Sequence, residues 1–426
     1  MNAKSVNLIP DKAEITALNK TCFCLPLGRK QIDASILSSG NVPEMASLLA
    51  ERPNLFASTG VFLAASDLDS MIDQIHAIEA ATQTVSYQDI TLSRADGALA
   101  NVQPETRGVL MGYDFHVTPD GPLLIEINTN AGGIFLVQAL SRAVQGGALP
   151  GYLAFGASRF EERIFEMMVS EWRAAGRLGQ PQTLAIVDDN PEAQYLYPDM
   201  LLAQALLNEQ GITTIIVNSA SLAIGSRGLM AGDHVIDMVY NRLTDFALAM
   251  PQSEALRSAL LQNQVVVTPS PRHHALYADK RNLAFLSDAA KRKTLNLAPH
   301  HAQALTSLPE TVEVTPEKAD ALWAARRDLF FKPATGFGGA AAYRGDKLTR
   351  RVWNEILKGG YVAQAFVAPQ TRLVATEEGP AVLKFDVRVF TFSGDPLMLA
   401  ARAYQGQTTN FRTYGGGFAP VILTDA

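Results

Sequence analysis

Between residues 181 and 270 the chain contains three short apolar runs, TLAIVDD, ITTIIVN and QVVVTPS, separated by helical or polar stretches. Runs of this length, rich in Val and Ile and unbroken by charge, read as strands buried on both faces. Such strands alternating with helices form a parallel, Rossmann-like sheet with helices packed against it. The interval DMLLAQALLNEQ is a helix that stops at Gly211, a residue suited to a left-handed C-terminal cap, and a second helix is expected around 252–263, after HVIDMVYNR. The first run ends in Asp188-Asp189, as at the carboxyl end of a buried parallel strand. No glycine-rich fingerprint follows it, so the unit is not read as a dinucleotide site.

The rest of the chain has to be organised around this unit. A length of 426 residues and a mass of 46.0 kDa suggest two or three domains. Four stretches are expected: a mostly helical region over 1–105, a hairpin-bearing part over 106–180, the parallel unit over 181–290 and an α+β layer over 291–426. In the first, Leu68, Met71, Ile72, Ile75 and Ile78 recur at helical spacing over 65–82, with Ser66 as N-cap and His76 as an ordinary histidine. In the second, GVLMGYDFHVT and PLLIEIN are strands joined through Pro119-Asp120-Gly121, and 134–145 is a helix. The fold class is thus mixed α/β and α+β.

A net charge of −6, from 36 basic and 42 acidic residues, argues against a broadly basic polyanion-binding surface and hence against a nucleic-acid partner. Cys22 and Cys24 are too few for a disulfide framework or a four-cysteine zinc site. Neither a signal-peptide pattern nor an apolar run long enough to span a bilayer is present, so a soluble cytoplasmic protein is expected, with no membrane partner.

Three constellations carry chemistry. In KPATGFGGAAAYRG, Lys332 stands before Gly336, Phe337, Gly338 and Gly339. This reads as a strand, a bendable loop and a returning strand, a flap able to fold over an anion; a plain hairpin turn is the alternative. In the hairpin, Asp114 on one arm can lie beside Glu126 on the other. Asn128 shares the face of Glu126, which gathers hard oxygen ligands of the kind Mg²⁺ takes; an exposed polar face is the alternative. In VLKFDVRVF, Lys384, Asp386 and Arg388 share one strand face, and Arg402, Asn410, Arg412 and the Gly415-Gly416-Gly417 run follow. That pattern suits either solvent or an anion-lined cavity.

Together FFKPATGFGG, FDVRV, ARAYQGQTTNFRTYGGG and YDFHVTPDGPLLIEIN resemble the recurring parts of ATP-grasp enzymes. The hairpin precedes the lysine and flap, an order similar to the circularly permuted members that include eukaryotic-type glutathione synthetases. The resemblance covers roughly 106–424 and implies a permuted ATP-grasp fold with an inserted Rossmann-like substrate domain. In that reading 106–180 and 291–426 are the two halves of the nucleotide-binding unit.

The implied activity is ATP-dependent carboxylate–amine ligation through an acyl phosphate. A small-molecule kinase and a non-catalytic ATP-binding module are the alternatives. The implied cofactors are ATP and two Mg²⁺ ions, and the partners are a small carboxylate and a small amine, with a homodimer suggested by analogy. Asp114, Glu126 and Asn128 are the implied metal ligands. Lys280 and Lys332 hold phosphates beneath Gly336, Phe337, Gly338 and Gly339. YVAQAFV offers adenine a backbone edge, with Gln364, Phe366 and Val367 named for the nucleotide together with Lys384. Arg388, Arg402 and Lys332 are the implied catalytic residues. Arg242, in VYNR, and Asn410, Arg412, Gly415 and Gly416 are implied for substrate. His273-His274 are assigned no catalytic part.

Overall fold

The computed structural model describes residues 11–22, 27–38, 42–145, 154–336, 338–376 and 379–424. Cys24 and Phe337 lie outside the described residues.

Three helices, Lys12–Thr21, Arg29–Ser38 and Met45–Ala50, precede strand β1 (Val61–Ala64), which runs directly into helix α1 (Ala65–Thr82). Helix α1 occupies the expected 65–82 and buries Leu68, Met71, Ile75 and Ile78, while His76 is exposed. Ser66 does not cap it. The extended backbone of β1 continues to Ala64, which takes the N-cap position, so Ser66 falls inside the first turn. Strands β2 (Met111–Thr118) and β3 (Gly121–Asn128) form the expected hairpin, followed by helix α2 (Ile134–Ala143).

Next come β4 (Thr183–Asp188), helix α3 (Tyr197–Glu209), β5 (Thr213–Asn218), β6 (Met238–Asn241), helix α4 (Glu254–Leu261) and β7 (Val266–Thr268). The sheet order is β7-β6-β4-β5, every pair parallel, with every residue of β6 and β7 buried. Helix α3 ends before Gly211, whose φ of +84° is the left-handed cap conformation expected there.

The final stretch holds β8 (Thr311–Glu313), β9 (Leu329–Pro333), β10 (Tyr343–Arg344), β11 (Tyr361–Ala365), β12 (Gln370–Thr376), β13 (Gly379–Phe392), β14 (Asp395–Tyr404), β15 (Gly417–Ala419) and β16 (Val421–Thr424). A four-stranded sheet runs β8-β11-β9-β10. A six-stranded sheet runs β15-β14-β13-β2-β3, with β12 beside the first half of β13. The hairpin near residue 120 is thereby hydrogen-bonded to a strand near residue 390, while the chain between builds the parallel sheet. Strand β16 returns to pair with β1 in parallel, tying the last described strand to the first.

Alternation along β2 and β13 separates the central sheet into two faces. Tyr113, Phe115, Val387 and Val389 pack with Leu68, Met71, Ile75 and Ile78 of α1 in one core. On the other face, Phe390, Met398 and Ala400 join α2, α3 and the parallel sheet in a second core. The charged residues of β2, β13 and β14 lie on this second face. No helix among the described residues is long and apolar enough to cross a membrane.

Candidate functional site

Strict alternation through the hairpin turn does not place Asp114 beside Glu126. From Thr118↔Gly121 to Phe115↔Leu124 the register is regular, and continued it would pair Asp114 with Ile125 and Tyr113 with Glu126. Glu126 would then face the apolar core behind Tyr113. Instead the register slips by one residue, so that Asp114↔Glu126, Tyr113↔Ile127 and Gly112↔Asn128 are the pairs. This β-bulge at Ile125 turns Glu126 and Asn128 onto the face of Asp114. It also releases the Ile125 carbonyl, which accepts from Lys332 Nζ at 2.8 Å.

Lys332, on β9, donates a second bond to Gln364 Oε1 on β11 at 2.8 Å. Both acceptors are neutral, so burial dominates and lowers the ammonium pKa to about 8; Glu126 opposes that shift and Lys280 adds to it. Lys280 donates to the Gly336 carbonyl at the base of the flap (2.9 Å) and pairs with Glu126 Oε1 (3.0 Å). Burial pushes the Glu126 carboxyl up, but Lys280 and Lys332 outweigh it and hold its pKa below the ordinary value.

Asp114 is buried in a network of arginines. Its Oδ1 accepts from Arg388 Nε at 2.6 Å, and its Oδ2 accepts from Arg388 Nη2 at 2.8 Å, Arg402 Nη2 at 2.7 Å and Asn128 Nδ2 at 3.0 Å. Cross-strand register places these groups: Arg388 opposes Asp114, and Arg402 opposes Asp386. Asp386 in turn accepts from Arg402 Nε at 2.7 Å and from the Thr409 hydroxyl. Burial raises the Asp114 pKa, but Arg388 and Arg402 more than offset it and bring the carboxyl to about 2. Among the described residues the Nη1 groups of both arginines, Glu126 Oε2 and Asn128 Oδ1 make no hydrogen bond. These are the groups left to a ligand. The sequence reading places Asp114 with Glu126 and Asn128 as an oxygen ligand; in the structure its carboxylate is given to two guanidinium groups. No cluster of three metal-ligating His, Cys, Asp or Glu side chains occurs among the described residues.

Two glycine-rich loops border this cluster. Gly338 and Gly339 adopt φ of +60° and +67°, and a Cβ on Gly339 would lie 2.8 Å from Thr408 in the loop after β14. The flap and that loop therefore touch, and the Arg344 amide donates to Gln407 Oε1 at 3.2 Å beside them. Asn410 organises the second loop: its amide donates to the Gln405 and Thr408 carbonyls, while its oxygen accepts from the Arg412 amide and the Thr413 hydroxyl. Lys384 donates to the Gly406 carbonyl at 2.6 Å at the base of this loop. The Arg412 side chain is exposed and is not brought into the cluster. Gly416 has no room for a side chain, since a Cβ would lie 2.5 Å from the Ala403 carbonyl oxygen.

The backbone of β11 is paired on both sides, by β8 and β9. Beyond it the Phe366 amide donates to the Asp328 carbonyl, and the Val367 carbonyl meets His116 Nδ1 at 2.8 Å. Gln364 is buried and bridges Lys332 and Thr311.

Arg242 leaves the carboxyl end of β6, beside the end of β4 that carries Asp188. Here the strand order reverses, with β5 on one side of β4 and β6 on the other, the position where open parallel sheets take ligands. Arg242 Nη1 donates to the Asn130 carbonyl at 2.7 Å, tying it to the loop that follows Asn128, while its Nε is buried without a partner. Asp188, raised by burial to about 6 against the pull of Arg242, lies beside it.

Several contributors are not visible in the sequence patterns. Tyr195, after β4, stacks on Phe411 of the glycine-rich loop at 5.5 Å and 24°. Arg52 Nε donates to the Tyr195 carbonyl at 2.9 Å, and the Ser58 amide donates to the Gly415 carbonyl at 3.3 Å. The first hundred residues thus brace the loops of the site, although no motif there signals it. Only the pairing of Ile125 with Lys332, a carbonyl freed by a bulge, has a local cause, and a bulge leaves no compositional mark.

No protein-family model and no curated protein matches the sequence. Solved structures do. A glutathione synthetase-like effector from Globodera pallida aligns over 95% of this chain and 100% of its own, at 11% identity and a TM-score of 0.58. The ATP-grasp ligase PsnB, complexed with minimal precursor, aligns over 57% of this chain and 89% of its own, at 13% identity and a TM-score of 0.30. The fold is mixed α/β and is similar to that of the glutathione synthetase-like effector.

Proposed function

We propose that this chain is an ATP-dependent ligase that joins a carboxylate to an amine through an acyl phosphate, releasing ADP and phosphate. The observation that carries the reading is the gathering of Lys280, Lys332, Arg388 and Arg402 around the unpaired oxygens of Glu126 and Asn128, bordered by two glycine-rich loops. A triphosphate needs this combination of fixed cations, a place for a hard metal ion, and a cover. The chain order supports a circularly permuted ATP-grasp unit, split into 106–180 and 291–426, with 181–290 inserted as the substrate domain and 1–105 as a brace.

In the first step a carboxylate oxygen of the acid attacks the γ-phosphorus, the bond to the β-phosphate oxygen breaks, and ADP leaves. In the second, the amine nitrogen attacks the acyl carbon, the acyl–oxygen bond breaks, phosphate leaves, and the nitrogen loses a proton. Lys280 and Lys332 hold phosphate oxygens. The Nη1 groups of Arg388 and Arg402 stabilise charge on the acyl phosphate and the tetrahedral intermediate, a contribution of about 3 kcal/mol per well-placed donor. The flap and the 405–417 loop keep water from the acyl phosphate. Arg242 and the loop around Asn410 contact the acid or the amine.

The donor set fits a Mg²⁺ ion that arrives on the nucleotide: Glu126 Oε2 and Asn128 Oδ1 are oxygens two residues apart on one strand face, and Mg²⁺ takes one or two such protein ligands besides phosphates and water. When bound it neutralises charge between phosphate oxygens. Asp114 does not fit that set, because both its oxygens are occupied by guanidinium groups.

The test is a screen of amino acids, dipeptides and polyamines for stimulated ADP release with Mg²⁺, followed by product analysis. ADP, free phosphate and a new amide support the ligase; ADP with a phosphorylated product makes it a kinase. Tight ATP binding with no turnover makes it a binding module. Glu126→Gln should remove Mg²⁺-dependent ADP formation, and near-normal turnover in that variant sinks the metal assignment.

A further inference from the structure

We propose that Asp114 is a positioning residue: it locks Arg388 and Arg402 into one fixed anion-receiving pair and stays on them when metal and nucleotide bind. What the pair receives rests on the ligase reading; the lock itself does not.

Asp114 receives four donors: its Oδ1 takes Arg388 Nε, while its Oδ2 takes Arg388 Nη2, Arg402 Nη2 and Asn128 Nδ2, more than the two or so lone-pair sites of one oxygen. No acceptor site is left on Oδ2, and a cation approaching Oδ1 would meet the Arg388 guanidinium already bonded there at 2.6 Å. The Arg388 contact is bidentate, the geometry in which a planar guanidinium is held in orientation as well as in place. Arg402 is held from its other edge by Asp386, so the chain Asp386–Arg402–Asp114–Arg388 alternates in sign and is neutral as a whole. With Asp114 only 2% exposed, the two arginines lose little of their attraction for this partner to water. Each keeps its Nη1 group uncommitted. The same carboxylate takes the amide nitrogen of Asn128 and so leaves that residue's oxygen for a cation. Gly112 is part of the arrangement, since a Cβ there would lie 3.1 Å from Arg388 Nε and 2.6 Å from the Ala131 Cβ. The lock extends outward, because Asp386 also accepts from Thr409 in the glycine-rich loop. Loop position and arginine position are therefore linked through one carboxylate.

The test reads the arginine Nε–H resonances of the full chain by NMR, assigned with Arg388→Lys and Arg402→Lys. In the wild-type protein both protons should be hydrogen-bonded and slow to exchange. They should remain so when Mg²⁺ and the non-hydrolysable analogue AMP-PNP are added. Loss of the Arg388 signal on that addition means the metal has taken the carboxylate and overturns the proposal. In Asp114→Asn the Arg388 signal should be lost while the Arg402 signal, bonded to Asp386, persists and reports an intact fold. A protected Arg388 signal in that variant also overturns the proposal. The wild-type measurement decides the matter should the variant not fold. If AMP-PNP does not bind the wild type, the ligase reading falls, and the Asp114→Asn comparison still decides whether the lock exists.

Discussion

On the proposed reading, in which Lys332 holds a phosphate oxygen, nucleotide affinity should depend on pH around the pKa of its ammonium group. Its ammonium group has three N–H donors, and two are spent on the Ile125 carbonyl and Gln364 Oε1. The neutral amine keeps two N–H groups, so both bonds survive deprotonation, and the proton that is lost is the one available to a phosphate oxygen. With a pKa of about 8 for the free protein, roughly nine-tenths of Lys332 is charged at pH 7 and roughly one-tenth at pH 9. A bound phosphate raises that pKa, since opposite charge favours the charged form. ATP binding should therefore weaken by about tenfold from pH 7 to pH 9, close to 1.4 kcal/mol. Replacement by methionine removes a charge-assisted bond and should weaken binding about 10- to 100-fold at pH 7, with the pH dependence gone. Lys332→Arg keeps its charge throughout, and its profile should be flat whatever its absolute affinity. The assay is calorimetric titration with AMP-PNP and Mg²⁺ at half-unit steps; the last phosphate ionisation, with a pKa of about 6, is roughly nine-tenths complete at pH 7, so the nucleotide contributes little to the slope above it. A flat wild-type profile, or one as steep in Lys332→Arg as in the wild type, refutes the reasoning.

Two further outcomes follow from close contacts. A Cβ at Gly132 would lie 2.3 Å from Arg242 Nη2 and 2.8 Å from Leu196 Cδ1, so Gly132→Ala must displace the guanidinium. With Arg242 in its proposed substrate-binding role, the KM for the acid or the amine should rise about tenfold, the loss of roughly one charged hydrogen bond, while titration shows nucleotide affinity unchanged. Phe411→Ala removes the stack on Tyr195 and the contact with Phe418 at 4.8 Å. That costs about 2 kcal/mol of local packing and should appear as faster limited proteolysis within 405–417, with the rest of the chain cut no faster.

Much of the architecture is legible along the chain because it rests on local periodicity. Helix α1 matches its apolar spacing residue for residue, and the three apolar runs become β4, β5 and β7, with Gly211 as the cap between. Ser66 shows where local reading stops: capping chemistry was present, but the preceding strand set the helix start two residues earlier than a Ser66 cap allows. The residue types of the site were equally readable, because charge within otherwise apolar strands is costly to bury without a partner.

Which charge meets which partner was a tertiary decision. The motif D…E-x-N names three oxygen-bearing side chains, yet nothing in it says that the hairpin slips by one residue at Ile125. That slip puts Glu126 and Asn128 on the face of Asp114 and frees a carbonyl for Lys332. Nor does it say that β13 and β14, more than 250 residues away in the chain, deliver two guanidinium groups to Asp114. Sequence by itself determined the periodic elements, the order of the motifs and the inventory of charges, because those depend on neighbours along the chain. Only the folded sheet decided register and pairing, because a one-residue shift between strands reverses every face and hydrogen bonds reach only across a few ångströms of space.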